Sequence, residues 1–390
     1  MTRRNESGPS APETPRKKKG LFSRILTLLL VLCLVLAAVV LTTMEDGSHF
    51  ASLRRWLMYG DSGGAQDIYA YAADSANRYG KLENSLLVVN PNTAQLIGED
   101  GAVLYDLTLR LAAPQLSVGS RQAAVCDAGG STLYILDQNG IRRTMKAENG
   151  QRYFSANLNR NDYLAVTGQK TGFKSSVSVY DPNGNLIFSF DSYHNYISDA
   201  KVTEDGRSVV MVSLESQGGI FASRLLVYNL DSKEPKSSAS ILDGLVLDYA
   251  CNSGRVLALC DKRFTMTDLE GETVLDRSYG NLYLHDYALG GRDFCALLLG
   301  RYQAGNIGTL TTYDLEGKEI ASVEISDEVL DIAARGDYLA VLYGEGLVVY
   351  RRDLTEYARL TDTDYAGQIL MEEGGGVLLI SGSSAWRFLP

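Results

Sequence analysis

The sequence is short of the residues on which most enzyme chemistry depends. It has three histidines in 390 residues, His49, His194 and His285, and no two are near each other. No H-x-x-x-H or C-x-x-C pair occurs, so the common zinc spacings are excluded and no metal site is expected. No G-x-S-x-G elbow and no P-loop appears, and no catalytic set can be assembled from the remainder. "DTDY" at Asp362 lacks the other ligands of a calcium loop. Basic residues are outnumbered, 37 to 47, and the pI near 5.0 argues against a nucleic-acid partner. Helical periodicity is nearly absent after Ala65, so a chain this long must build its core from strands.

One long apolar run is present. "ILTLLLVLCLVLAAVVLTTM", Ile25 to Met44, has thirteen Leu, Ile or Val in twenty residues. As a helix it reaches about 30 Å, the thickness of a bilayer core, and we read residues 25–44 as a transmembrane helix. Residues 1–24 hold seven Lys/Arg, including "RKKKG", and are read as a disordered cytosolic tail. The positive-inside rule then places everything after the span outside the cell. A cleaved signal peptide is the alternative, but the run is long for one and "LTTMED" has no A-x-A-like site. Residues 45–65 form a linker. Its stretch "HFASLRRWLMYG" puts Phe50, Leu53, Trp56 and Leu57 on one helical face, which suits a short interfacial helix or a helix docked on the following domain.

From residue 66 the chain repeats itself. "SVYDPNGNLIFSF", "TMTDLEGETVLD" and "LTTYDLEGKEIASVEI" each read as strand, D-x-x-G turn, strand. Asp at the first turn position can accept hydrogen bonds from the turn amides, and Gly at the fourth can take positive φ. The turn-opening residues are Gly98, Asp137, Asp181, Asn229, Asp268, Asp314, Arg351 and Arg387, spaced by 36 to 48 residues; Asn229, Arg351 and Arg387 lack the Gly. Ahead of most turns lie a short apolar strand ("GRVLALCD", "GDYLAVLYG") and another strand containing Asp ("ISDAKV", "VLDIAA"). Four strands per period near forty predict an all-β fold, a β-propeller of residues 66–390 with eight four-stranded blades, or seven if the degenerate first unit is not a blade. The last unit ends after its third strand, so "QDIYAYAA", Gln66 to Ala73, is predicted to supply the missing outer strand beside Ala385 to Leu389 and close the ring. Only Trp56 and Trp386 exist, so the tryptophan-rich repeats of quinoprotein propellers are missing and no cofactor is expected. Cys126 and Cys260 occupy the same place in two units and read as small core residues; Cys251 and Cys260 fall on adjacent strands, where a disulfide is conceivable outside the cell.

Two groups of residues stand out as candidate sites. Asp199, Asp248, Asp286 and Asp331 recur on the first strand of successive units, innermost in a propeller, where a carboxylate ring would face the channel and hold a cation, or where each Asp would accept backbone hydrogen bonds. The second group is a set of long connections, "TGQKTGFKS", "ESQGGIFAS" and "GRYQAGNIG", beside "SYHNY" and "SYGNLY". Lys170, Phe173, Tyr193, His194, Tyr196, Phe221, Tyr279, Arg301 and Tyr302 would then share one aromatic, partly basic face, and insertions on one face of a repeat protein are where ligands usually bind.

"LLVVNPNTAQLIGEDGAVLYDLTL", "AAVCDAGGSTLYILDQNG", "SVSVYDPNG" and "KVTEDGRSVVMVSL", behind a basic tail and one span, resemble an uncharacterised family of membrane-tethered β-propellers of Gram-positive bacteria. The resemblance implies an extracytoplasmic propeller and transfers no catalytic residues. The expected function is a binding or scaffold module in the cell envelope, its partner a protein, peptide or wall polymer. A carbohydrate-active lyase or hydrolase on the same face is the alternative.

Overall fold

The computed structural model describes residues 66–390, apart from 149, 218–219, 242–243 and 306. The expected tail 1–24, span 25–44 and linker 45–65 lie outside the described residues; among the described residues no helix is long and apolar enough to cross a membrane.

The described chain folds into eight four-stranded antiparallel sheets, and seven of them are runs of four consecutive strands. In chain order, blades 1 to 7 occupy residues 78–108, 114–146, 153–192, 196–241, 246–278, 283–325 and 329–360; blade 8 combines residues 368–388 with Gln66–Ala70. Strands are denoted a to d from the channel outward. The second strands show why the sheets must stack. All residues of Ser85–Val89, Phe294–Gly300 and Val377–Ile380 are buried. A strand buried on both faces needs a neighbouring sheet on each side. The core is accordingly divided among the gaps between blades. Val125 of blade 2 packs with Leu87 and Leu96 of blade 1, Cys126 with Val166 of blade 3, and Val210 with Val256 of blade 5. The series returns to its start where Leu378 and Ala385 of blade 8 pack with Leu86 and Val88 of blade 1. The structure is an eight-bladed β-propeller, and the seven-blade alternative falls because residues 78–108 form a full four-stranded sheet.

The repeated turn has the anticipated chemistry. Asp181 Oδ1 accepts the amides of Asn183 (2.9 Å) and Asn185 (2.8 Å), and Asp314 Oδ1 those of Glu316 (3.1 Å) and Lys318 (2.8 Å). Gly184 follows at φ 86° and Gly317 at φ 81°. In blade 7 the Gly is replaced but the geometry persists, with Leu354 at φ 58°. At Gly184 a Cβ would meet the Arg143 guanidinium at 2.8 Å, and that guanidinium donates to the Gly184 carbonyl at 2.7 Å. Gly184→Ala is therefore expected to cost about 1–2 kcal/mol, the left-handed penalty for a residue with a Cβ, seen as a lower urea midpoint at unchanged slope.

Closure of the ring follows the sequence expectation. Gln66–Ala70 pairs antiparallel with Ser384–Phe388, Gln66 opposite Arg387 and Ala70 opposite Ser384. Tyr71 continues past this strand, its hydroxyl 2.8 Å from the carbonyl oxygens of both Ser381 and Ser384. On the other side of blade 8, Glu372 accepts from Lys81 of blade 1 and from Arg387 (3.1 Å), whose guanidinium also reaches Glu99 at 3.5 Å. Arg387 thus stands where other blades open a turn, and it ties the last blade to the first.

A second inter-blade device joins blades 2 and 3. Asp162, buried in the a–b turn of blade 3 at φ 62°, accepts the amides of Arg121 (3.0 Å) and Gln122 (3.2 Å) in the matching turn of blade 2. Gly119 leaves room for it, since a Cβ there would lie 2.4 Å from Asp162 Oδ1.

The four described cysteines, Cys126, Cys251, Cys260 and Cys295, are free. Cys260 lies opposite Val246 and Cys251 opposite Val256, so they sit at opposite ends of the same strand pair, too far apart along the ladder to bond. Cys126 and Cys260 are buried, as expected of core residues.

Candidate binding face

The b–c and d–a connections open on one face of the propeller, and the short a–b and c–d turns on the other. Two of the three long connections turn out to be strand rather than loop. In blade 3, strands Leu164–Lys170 and Phe173–Tyr180 stay paired up to Lys170 opposite Phe173. In blade 4, Ser208–Gln217 and Ile220–Asn229 are ten residues each and stay paired up to Gln217 opposite Ile220. Only blade 6 has a true loop, between Phe294–Gly300 and Gly308–Asp314.

The two hairpins and the connection between them, residues 193–195, carry most of the predicted face. Phe173 and Tyr193 pack with ring centroids 4.2 Å apart, and Lys170 lies over Phe173 at 5.3 Å while its ammonium pairs with Asp191 at 2.6 Å. Lys174 lies over the Tyr196 ring at 5.2 Å. Tyr193 is 64% exposed, Tyr196 53% and Phe221 64%, and His194 is exposed beside them. Asn195 ties the connection to the blade 4 hairpin by donating to Glu215 at 3.3 Å, and Glu215 is gripped by Arg224 at 2.6 and 3.0 Å. Arg301 and the 72%-exposed Tyr302 open on the same face but stand on blade 6, with blade 5 between them and this cluster. Tyr279 does not belong to the face. It is 4% exposed, packed between blades 5 and 6 with Phe264, Leu289 and Leu297. The connection it occupies folds inward, its amide donating to the Lys262 carbonyl at 3.0 Å.

The four strand-a aspartates do lie on the innermost strands, and each follows a register shift in the ladder to strand b, at 197/199, 246/248, 284/286 and 329/331. A bulge re-aims the side chain after it. They fall into two pairs. Asp248 accepts the Lys201 ammonium at 2.8 Å, and Lys201 also donates to the Tyr249 carbonyl at 2.6 Å. Burial pulls the Lys201 ammonium down, but the carboxylates of Asp248 and Asp199 raise it further, so a cation of the protein's own stands between them. Asp199 is pushed up by burial and accepts Asn157 of blade 3 at 2.5 Å. Among the described residues no lysine pairs with Asp286 or Asp331 in this way. Asp331 accepts the Ile369 amide of blade 8 at 2.7 Å, and Asp286 that of Tyr287 at 2.8 Å. Burial pushes Asp286 up to about 7, with repulsion from Asp331 adding to it, and Asp331 up to about 6.

These two raised carboxyls have a defined stability signature. In the unfolded chain they ionise near pH 4; in the folded chain they hold their protons to pH 6 or 7. Between those values the native state binds more protons, so stability falls as pH rises and the loss is complete above about pH 7. Asp286→Asn, which keeps an acceptor and removes the charge, is expected to raise stability by roughly 1–2 kcal/mol at pH 8 and to change nothing at pH 4. Urea midpoints at both values check this, and an equal effect at the two pH values would contradict it.

On the short-turn face Arg160 of blade 3 reaches across the ring to the Gly290 carbonyl of blade 6 (3.3 Å), spanning that mouth of the channel. The same face has a polar cavity of 760 Å³ between blades 5, 6 and 7, lined by Arg255, Asp293, Glu316, Lys318 and Arg352 among others. Sequence reasoning missed it, because its residues are scattered over turns that read individually as ordinary turns. No group of His, Cys, Asp and Glu able to hold a metal is found among the described residues.

Solved structures share the architecture. BamB from Moraxella catarrhalis superposes with a TM-score of 0.53 at 11% identity, over 83% of this chain and 98% of that one. Saccharomyces cerevisiae Sqt1 gives 0.56 at 12%, over 84% and 96%, and the C-terminal WD40 domain of Sif2 gives 0.56 at 12%, over 84% and 98%. Identities this low speak for the propeller fold alone. No curated protein matches the sequence. The model of a family of unknown function, DUF5711, matches residues 66–361, and the chain belongs to that family.

Proposed function

We propose that this DUF5711 member is a binding or scaffold module of the cell envelope, anchored by residues 25–44, with the propeller outside the membrane and a protein or peptide ligand on the long-hairpin face. The observation that carries the reading is the exposure of Tyr193, Tyr196, Phe221 and Tyr302 on that one face. Large aromatics left in water together mark interaction surfaces, where they anchor partners at low entropic cost. The location is supported by a bilayer-length apolar run behind seven basic residues.

Photo-crosslinking in intact cells tests it. A crosslinking amino acid at Tyr193 or Tyr302 is expected to capture a discrete polypeptide, and one at Lys318 on the opposite face is not. Equal yields from both faces, or a wall polymer as the captured species, would count against a protein ligand on this face. Protease added to cells stripped of their wall is expected to cut the propeller; protection of the propeller would remove the envelope reading.

A further inference from the structure

The blade 4 hairpin outgrows its neighbours. Strand a begins at Tyr196, opposite Leu214, and the outer strand ends at Ile241, opposite Ser223. Residues 215–217 and 220–222 therefore continue as a two-stranded ribbon with no sheet strand beside them. Blade 5 does not reach up to cover it, because its own b–c hairpin turns at residues 261–262.

The ribbon keeps the apolar parity of the core. Val210, Val212, Leu225 and Val227 bury their side chains against blade 5, and the same two-residue alternation brings Leu214 and Phe221 onto that side. Tyr196 lies directly opposite Leu214 at the start of strand a, but its ring lies under Lys174 of blade 3, on the other side of the blade. Leu214 and Phe221 are both exposed large apolar residues, and they form an uncovered apolar pair on that side.

The inner edge of the ribbon is equally open. Val212 turns its carbonyl toward strand a, where it accepts Ser198 Oγ at 3.3 Å. By alternation Ser216 turns its N–H and C=O the same way, beyond the end of strand a, where no strand pairs with it among the described residues. The local charges are nearly all compensated: Asp191 holds Lys170, and Glu215 holds Arg224. Lys174, over Tyr196, has no carboxylate partner among the described residues.

We infer that an extended, acidic peptide segment of a partner protein adds as a strand along the ribbon's inner edge at Ser216, its alternate apolar side chains on Leu214 and Phe221 and its carboxylates on the opposite side, at Lys174. This rests on the binding-face reading and names the partner's chemistry. Strand addition draws affinity from backbone hydrogen bonds and specificity from alternate side chains, which suits an edge with exposed apolar residues on one side and Lys174 on the other.

The probe is a fluorescein-labelled decapeptide of alternating Glu and Val, compared with one of alternating Lys and Val, binding to the detergent-solubilised full chain by anisotropy. The Glu/Val peptide is expected to bind and the Lys/Val peptide not. Phe221→Ala and Lys174→Glu are each expected to weaken binding roughly tenfold. Ser216→Pro, which removes the edge donor, is expected to abolish it, with a melting curve matching the parent's. No binding of the Glu/Val peptide, equal binding of both peptides, or binding indifferent to Ser216→Pro and Lys174→Glu overturns strand addition. Capture of a polypeptide from position 193 alongside any of those results would leave the binding face standing and remove only the ribbon mechanism; no capture from that face would remove both.

Discussion

Tyr71→Ala is expected to lower the unfolding free energy by about 3–4 kcal/mol, and Tyr71→Phe by only about 1 kcal/mol. The side chain is buried, packed with Leu86 and Ile97 of blade 1 and Leu378 and Ala385 of blade 8, against Tyr79 at 5.4 Å. Among the described residues it therefore belongs to the one inter-blade core made of residues more than 280 positions apart. Alanine removes the ring and leaves a cavity at that seam. Phenylalanine keeps the ring and loses only the hydroxyl shared between the carbonyls of Ser381 and Ser384. Urea unfolding of the two variants checks the split. A loss below 1 kcal/mol for alanine would show that the seam does not depend on the terminal strand.

Asp162→Ala has the second largest expected effect, about 3 kcal/mol, with Asp162→Asn costing about 1. Alanine strands the amides of Arg121 and Gln122, which are then left without an acceptor at a buried site, and it must also adopt φ 62°. Asparagine keeps an acceptor and tolerates left-handed backbone. The same clamp can be attacked from the other blade: Gly119→Ala places a methyl where Asp162 Oδ1 sits and is expected to match Asp162→Ala without touching the carboxylate. The double variant should then lose little more than either single one, because both break one interaction. Fully additive losses would sink this account.

Much of the fold could be read from the chain because its signals are local. A turn that needs positive φ selects Gly, and one that needs its amides satisfied selects Asp, so Asp181, Asp268 and Asp314 declare themselves. The closing strand was legible from a shortage, a final unit with three strands and a spare run at residue 66. What depends on a neighbouring blade was not. Lys201 reads as a polar residue of an edge strand until Asp248, in the next blade, comes within 2.8 Å. "SYHNY" and "SYGNLY" look alike, yet Tyr193 is exposed and Tyr279 buried, because only the second connection hydrogen-bonds back to Lys262. Glycine and polar residues made "ESQGGIFAS" read as loop. The alternation Phe221, Ser223, Leu225, Val227 was the signal that it continues as strand.

The strand that seals blade 8 also decides how the molecule bears load. Gln66 begins on the short-turn side, beside Arg387, and the strand runs from there toward the opposite side. A pull on Gln66 directed along the strand would shear its ladder, straining all rungs at once. Peeling would break them singly. Loaded along its own axis, the seam between the last blade and the first resists as a whole.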